Sequence, residues 1–348
     1  MLTKYLEDLE SRIDPIVEES LLRQWRGFWE NPDRSVPFRP ARTAAAPPRF
    51  EWPQVSVNNA LADDELMILR ELSKISGHLA EASGALPAVR CNYGTGIIPS
   101  AFGAELFVMD ETLDTLPTTR PLESAEVLRE CVQRGVPAPE AGLGEAVFRT
   151  AEKFRDLLRT YPKIDAFVTL YHPDFQGPMD ITELLYGSGL FIDLLDTPEF
   201  VKDLLQLATD TYIGFMERWE SIVPPREDGY GVHWYMLHRG RIMLRNDSAM
   251  NLSPEMFEEF IKPYDSQLLK RFGGAVHFCG RGDHYLPALS EIEGLHGINM
   301  SQPEYNEMET IFRYTVDKGI KILGLPESGL AGAEERSFSG NLHAGKIW

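Results

Sequence analysis

The chain has 348 residues, of which 43% are apolar and 25% are charged, which is the composition of a globular protein with a large core. Its 34 Lys and Arg residues against 53 Asp and Glu residues leave a net charge of −19. An acidic surface repels phosphate backbones and anionic lipids, so we expect a small-molecule substrate and no nucleic-acid or membrane partner.

The first 84 residues are predicted to form an extension on the main body. Apolar residues at spacings of three and four predict an amphipathic helix over residues 3–30, and a second helix is predicted over 61–82. The prolines from Pro32 to Pro53 exclude regular helix and central strand, and they predict an extended arm between the two helices. We therefore expect residues 1–84 to pack as a helical and proline-rich extension on a domain formed by 85–348.

From residue 85 onward, short β-rich segments alternate with helical stretches. The predicted strands are 88–93, 166–172, 231–236, 242–245, 275–279, 297–301 and 320–325. The alternation indicates an α/β fold with a parallel sheet and right-handed crossovers. No Gly-x-Gly-x-x-Gly motif follows a strand, which disfavours an open dinucleotide-binding sheet. The sequence therefore predicts a (β/α)8 TIM barrel.

His277 and Cys279 lie two residues apart on one predicted strand. Strand side chains alternate between the two faces, so these two side chains share a face, and the apolar Val276 and Phe278 occupy the other. An imidazole and a thiolate side by side are half of a zinc site. The alternative is a hydrogen-bonded histidine beside an inert buried cysteine.

Active-site groups of a parallel barrel lie at the carboxyl ends of its strands. This rule selects catalytic and substrate-binding candidates. The catalytic candidates are Asp247, Tyr171, His172 and Asp174, and the substrate-binding candidates are Tyr93, Gln176, His233, Gln302 and Glu304. Simpler roles stay open: a turn for Asp174, a loop cap for Asp247 and a core position for His233. We expect His277, Asp247, Glu304 and either Tyr171 or His172 to converge on one pocket.

The sequence around these candidates resembles a known family. The segment Val276-His277-Phe278-Cys279-Gly280, preceded by Asp247 and by Leu252-Ser253-Pro254-Glu255-Met256-Phe257, resembles the uroporphyrinogen decarboxylase superfamily. The resemblance is closer to its cobalamin-related methyltransferase branch, which includes the methylcobamide:coenzyme M methyltransferases. Phe102-Gly103-Ala104-Glu105 is similar to a Phe-Gly stretch of these proteins. The resemblance covers roughly residues 85–327 and implies a (β/α)8 barrel.

The resemblance also implies a chemistry. The methyltransferases hold zinc with His-x-Cys and a distant cysteine, and the zinc activates a thiol. His277 and Cys279 match the first two ligands, whereas no cysteine follows Cys279 in the chain. Glu327 lies close to the position of the missing cysteine, so it or another carboxylate from a neighbouring strand is the expected third ligand. The implied protein is a metal-dependent methyltransferase acting with a small thiol or with a corrinoid on a partner protein.

Two alternative functions remain at this stage. The decarboxylases of the superfamily bind an acidic tetrapyrrole through an arginine-rich segment near the N-terminus. Arg39-Pro40-Ala41-Arg42 is a poor match to that segment. Tetrapyrrole decarboxylation is therefore the alternative activity, and methyl transfer is the leading one. A barrel that binds a small molecule without catalysis is the second alternative.

The cellular compartment follows from the first residues and from the cysteines. The opening residues include acidic positions where a signal peptide would be apolar. Cys91, Cys131 and Cys279 are too few, and odd in number, for a disulfide framework. We therefore expect a cytoplasmic protein, and the sequence leaves its oligomeric state open, a homodimer included.

Overall fold

A computed structural model describes residues 2–33, 36–333, 336 and 339–345. Its α-helices are α1 (Thr3–Arg12), α2 (Pro15–Glu30), α3 (Val57–Ala62), α4 (Asp64–Ala80), α5 (Ile97–Ala101), α6 (Ala125–Arg134), α7 (Gly144–Leu158), α8 (Pro162–Phe167), α9 (Pro178–Tyr186), α10 (Leu190–Asp196), α11 (Pro198–Ile222), α12 (Pro254–Phe260), α13 (Lys262–Phe272), α14 (Leu286–Leu289) and α15 (Met308–Tyr314). Within the described ranges, none of these helices combines the length and the apolar character needed to cross a membrane.

In the described part of the chain, the strands form two parallel sheets and two short antiparallel pairs. They are β1 (Ala88–Arg90), β2 (Leu106–Phe107), β3 (Thr118–Thr119), β4 (Thr169–Tyr171), β5 (Tyr230–His233), β6 (Met236–Arg239), β7 (Ile242–Arg245), β8 (Gly274–Phe278), β9 (Leu295–Met300), β10 (Lys321–Leu325) and β11 (Leu342–Ala344). Strands β7 to β11 pair in sequence order as one parallel sheet, and β1 pairs with β4 in parallel. The antiparallel pairs are β2 with β3 and β5 with β6. The predicted α/β class with parallel sheets is confirmed, and closure into a barrel stays a prediction.

The register of the larger sheet brings polar side chains to one edge. Arg245 on β7 is opposite His277 on β8, and His277 is opposite Asn299 on β9. Since parallel strands all end at the same edge, the loops that follow β7, β8 and β9 lie beside one another. This edge carries the candidate site.

The N-terminal extension contains two helices where one was predicted over 3–30. The chain breaks at Ile13 and Asp14, because Pro15 has no backbone N–H and disfavours helical geometry in the residue before it. Asp14 caps the new helix by accepting a hydrogen bond from the backbone N–H of Ile16. The arm that follows is held by a buried ion pair between Arg42 and Glu18 at 2.7 Å. The division of the chain at residue 84 stays a prediction.

The predicted parallel strand over 231–236 is wrong. The segment forms an antiparallel hairpin of β5 and β6, in which His233 pairs with Met236. Trp234 and Tyr235 make the two-residue turn with φ angles of 42° and 64°. Two-residue turns of this kind favour Asn-Gly, and this sequence carries two aromatic residues instead, so the turn gave no signal in the sequence.

Asp265 on α13 is a buried acid next to the sheet. Its Oδ2 accepts a hydrogen bond from Asn246 Nδ2 at 2.6 Å. Burial raises the pKa of Asp265 to about 7, and this hydrogen bond offsets burial only in part. Because the pKa in the folded protein exceeds the ordinary value of 3.8, the folded state binds more protons than the unfolded state. The free energy of unfolding therefore falls as the pH rises from about 4 to about 7.

We expect Asp265→Asn to raise the melting temperature more at about pH 8 than at about pH 5, because the amide removes the cost of ionising a buried acid. The amide can also donate to Asn246 Oδ1, which is buried without a hydrogen bond. Thermal unfolding followed by circular dichroism measures the effect, with the exposed Glu199→Gln as a control. An equal shift at both pH values would contradict this account.

Candidate metal centre

Asp247, His277 and Cys279 form one group of metal-ligand atoms at the carboxyl edge of the sheet. One ligand atom from each residue lies within 4.8 Å of the other two. His277 Nε2 is 3.3 Å from Cys279 Sγ and 3.6 Å from Asp247 Oδ1. Ligands of a tetrahedral zinc ion lie about 3.4–3.7 Å apart for bonds of about 2.0–2.3 Å. The nitrogen, sulfur and oxygen donors and their spacing are thus compatible with zinc.

Asn299 orients the histidine for this role. His277 Nδ1 is 2.6 Å from Asn299 Oδ1, and the Asn299 amide in turn donates to the carbonyl oxygen of Leu323 at 2.7 Å. The side-chain oxygen of Asn299 is thereby directed at Nδ1, which must carry the proton. Nε2 then presents its lone pair to Cys279 and Asp247, as in a histidine that binds a metal.

Without a cation, the site combines a neutral histidine with a protonated thiol. Burial lowers the pKa of His277, so its ring is neutral near pH 7. Burial and the nearby Asp247 raise the pKa of Cys279 to about 11. A divalent cation would reverse this second effect, because it stabilises the thiolate. The backbone N–H of Cys279 donates to Asp247 Oδ1 at 3.0 Å, which ties the loop after β7 to the end of β8.

A cavity of about 400 Å3 adjoins Asp247. It is lined by Thr95, Thr119, Pro121, Gln176, Asp180, Glu183, Leu184, Gly187, Asp247, Ser248 and Asn251. Asp180 accepts the backbone N–H groups of Asp247 at 3.0 Å and Ser248 at 2.7 Å. Burial and the neighbouring Asp247 raise the pKa of Asp180. The cavity offers carboxyl and amide groups, and none of the residues lining it is Lys or Arg.

Trp234 separates the metal centre from a buried ionic cluster. Its ring meets that of His277 edge to face, with centroids 4.9 Å apart, and its indole N–H donates to Asp174 Oδ2 at 3.2 Å. Asp174 is paired with Arg90, and it is paired with Arg245 at 2.5 Å. Burial alone would raise the pKa of Asp174, but the two arginines outweigh burial and hold it well below its usual range.

Three of the predicted site residues surround this cluster. Tyr171, His172 and His233 are buried, and the His233 ring lies 4.6 Å from that of Tyr171 and 4.4 Å from that of His172. His172 Nδ1 bonds to the carbonyl oxygen of Pro173 at 2.7 Å. Burial lowers the pKa of His172 to about 3, and the positive charge of nearby Arg245 adds to this effect. These side chains are neutral neighbours of the ionic cluster and do not belong to the group of metal-ligand atoms.

Four further candidates lie outside the group of metal-ligand atoms. The Tyr93 hydroxyl bonds to Thr150 at 2.8 Å, which places it among the helices. Gln302 accepts the backbone N–H of Gly280 and so braces the loop after β8. Glu304 is exposed in a short turn after β9, and its convergence with His277 stays a prediction. Glu327 is 65% exposed and pairs with Arg39, and Asp247 takes the place expected for it in the ligand group.

Sequence reasoning missed several groups that build the site. Asn299 lies at the end of β9 and could have been found as a polar residue in a buried strand. Arg245 ends β7 two residues before Asp247, and strand alternation could have placed it on the same face. Asp180 gave no signal of its own, since an acid in the first turn of a helix is common.

Comparisons with known proteins add one finding about the fold. No family model matches the chain. No curated protein matches it either. Among solved structures, the chain resembles a methyltransferase from Methanosarcina mazei with a TM-score of 0.60 and 16% sequence identity, over 84% of this chain and 82% of that one. The likeness shows a shared fold.

Proposed function

We propose that this chain is a metal-dependent methyltransferase of the uroporphyrinogen decarboxylase superfamily. It would act on a small thiol, with a corrinoid on a partner protein as the methyl carrier. The observation that carries the proposal is the donor group of Asp247, His277 and Cys279, whose atoms lie within 4.8 Å of one another. The fold shared with the methyltransferase from Methanosarcina mazei supports it.

The residues of this site have separable roles in the proposed reaction. His277 Nε2, Cys279 Sγ and the Asp247 carboxylate would hold a zinc ion. Bound zinc lowers the pKa of a thiol substrate, so that the thiol reacts as a thiolate near neutral pH. Asn299 keeps the proton on His277 Nδ1 and leaves Nε2 free. Gln176, which is buried in the wall of the adjoining cavity, supplies an amide that can orient the substrate.

The charge of the adjoining cavity favours this proposal over tetrapyrrole decarboxylation. Asp180, Glu183 and Asp247 line the cavity, and its lining includes no Lys or Arg. A uroporphyrinogen carries several carboxylates, which such a wall would repel. A neutral thiol meets no such penalty.

We propose in addition that the parallel strands belong to one (β/α)8 barrel. Strands β7 to β11 follow one another across the sheet in sequence order, without the reversal that marks an open doubly wound sheet. Phe38 of the arm forms a parallel bridge to His343 on β11, which extends the sheet beyond its last strand. The hairpin of β5 and β6 contacts β4, β7, β8 and β9, so it packs against both parallel sheets.

A methyl-transfer assay tests the proposed function. Zinc-loaded protein is incubated with methylcobalamin and a panel of small thiols that includes 2-mercaptoethanol. Transfer of the methyl group to sulfur releases cob(I)alamin and the thiol proton, so the readouts are loss of methylcobalamin absorbance and thioether formation by mass spectrometry. We expect turnover that is lost in Cys279→Ser. Thioether formation no faster than without protein, across the panel, would overturn the proposal.

A further inference from the structure

Trp234 also borders a second cavity, of about 440 Å3. Its walls come from the second half of α4, the ends of β1 and β4, and the hairpin turn. The lining residues are Lys74, Gly77, His78, Glu81, Arg90, Tyr171, Trp234 and Tyr235. The volume lies within the range of about 300–1,000 Å3 that is typical of small-molecule sites. Nothing in the proposed methyl transfer uses this cavity.

The buried charges at this cavity do not cancel. Arg90 and Arg245 face the single carboxylate of Asp174, and their side chains are only 12% and 3% exposed. Lys74 is already paired with the buried Glu71, and Glu81 is exposed at the surface. Arg90 Nε is buried without a hydrogen bond. Burial alone would lower the pKa of Arg90, but Asp174 and Glu71 outweigh burial and raise it. Arg90 is therefore charged at the cavity wall and can bind one negative charge on a ligand.

The remaining walls are aromatic. Tyr171 and Tyr235 are each 5% exposed, and the Tyr235 ring lies 4.6 Å from that of His78. Burial lowers the pKa of His78 to about 4, so its ring is neutral near pH 7. Such a lining favours a flat ring that can stack against several faces.

The hairpin turn holds its aromatic residues at an energetic cost. Trp234 and Tyr235 both adopt positive φ angles, of 42° and 64°, a backbone conformation that is strained for bulky residues. Asn-Gly would form the same turn without that cost. Strain of this kind is concentrated at ligand-binding sites, and here it directs both rings to the cavity wall.

We propose that this cavity binds a planar aromatic monocarboxylate. The carboxylate interacts with the part of the Arg90 guanidinium that lines the cavity, and the ring lies among Tyr171, Trp234 and Tyr235. One surplus positive charge accounts for a single carboxylate, and the aromatic walls account for a planar ring. The binding does not depend on methyl transfer, so either proposal can fail without the other.

Calorimetric titration of the full chain with three matched probes tests the proposal. Benzoate has the ring and the charge, benzamide has the ring without the charge, and cyclohexanecarboxylate has the charge without the planar ring. We expect one benzoate per chain, with the other two probes at least about tenfold weaker. Equal affinity for benzoate and benzamide, or no saturable benzoate binding up to about 10 mM, would overturn the proposal.

Two variants locate the site. Arg90→Leu is expected to weaken benzoate binding at least about tenfold, whereas Arg26→Leu, which breaks an ion pair with Asp228 elsewhere, leaves it unchanged. Unchanged benzoate binding by folded Arg90→Leu would overturn the proposal. If Arg90→Leu does not fold, Tyr235→Leu replaces it. That variant should lose benzoate affinity while affinity for cyclohexanecarboxylate stays the same, and an equal effect on both probes would overturn the aromatic recognition.

Discussion

Replacing Cys279 by serine is expected to lower the affinity for zinc at least about a hundredfold, because a serine hydroxyl does not replace a thiolate ligand. Metal content after purification and competition with a chelating indicator measure the change. Cys131→Ser is the matched control, since Cys131 lies on α6, where its sulfur accepts a hydrogen bond from Arg134 at 3.0 Å. One equivalent of zinc retained by Cys279→Ser would rule out the site.

Measuring the zinc affinity of two further variants identifies the third ligand. Asp247→Asn keeps an oxygen that can accept the Cys279 N–H and removes the negative charge that a zinc ligand contributes. We expect it to lower the zinc affinity at least about tenfold. Glu327→Gln, which alters only an exposed pair with Arg39, is expected to leave the affinity unchanged. If Glu327→Gln lowered the zinc affinity and Asp247→Asn left it unchanged, Glu327 would be the third ligand, as the sequence predicts.

The contrast between these carboxylates shows what local sequence pattern can predict. Strand alternation predicted that His277 and Cys279 share a face, and their ligand atoms lie 3.3 Å apart. The third ligand depends on the pairing of β7 with β8, in which Arg245 is opposite His277. That register brings Asp247 beside Cys279, although the two are 32 positions apart in the chain. Pairing between distant strands leaves no periodic signal in the sequence, which therefore favours Glu327, the carboxylate nearest the expected position.

The fold shows the same contrast between what local sequence pattern predicts and what contacts between distant residues decide. The strand predicted over 242–245 coincides with β7, because it is a short apolar run between turn residues. The sequence predicts one strand here because Trp234 and Tyr235 are typical strand residues. In the observed turn, Trp234 packs against Arg245 and His277, and Tyr235 packs against His78. Predictions from periodicity were reliable where local preference and packing agree, and they failed where tertiary contacts override preference.

Asp174→Asn is expected to be the most destabilising single substitution among the predicted site residues. The variant leaves Arg90 and Arg245 buried without a counter-charge, and breaking a buried pair in this way costs about 3–5 kcal/mol. The exposed pair of Glu217 and Arg271, with side chains 53% and 48% exposed, is the control, and Glu217→Gln should cost less than about 1 kcal/mol. Denaturant unfolding near neutral pH measures both. If the two variants were equally stable, the ionic cluster would contribute no more than a surface pair, and the surplus charge that motivates the aromatic carboxylate site would have to be balanced by groups other than Asp174.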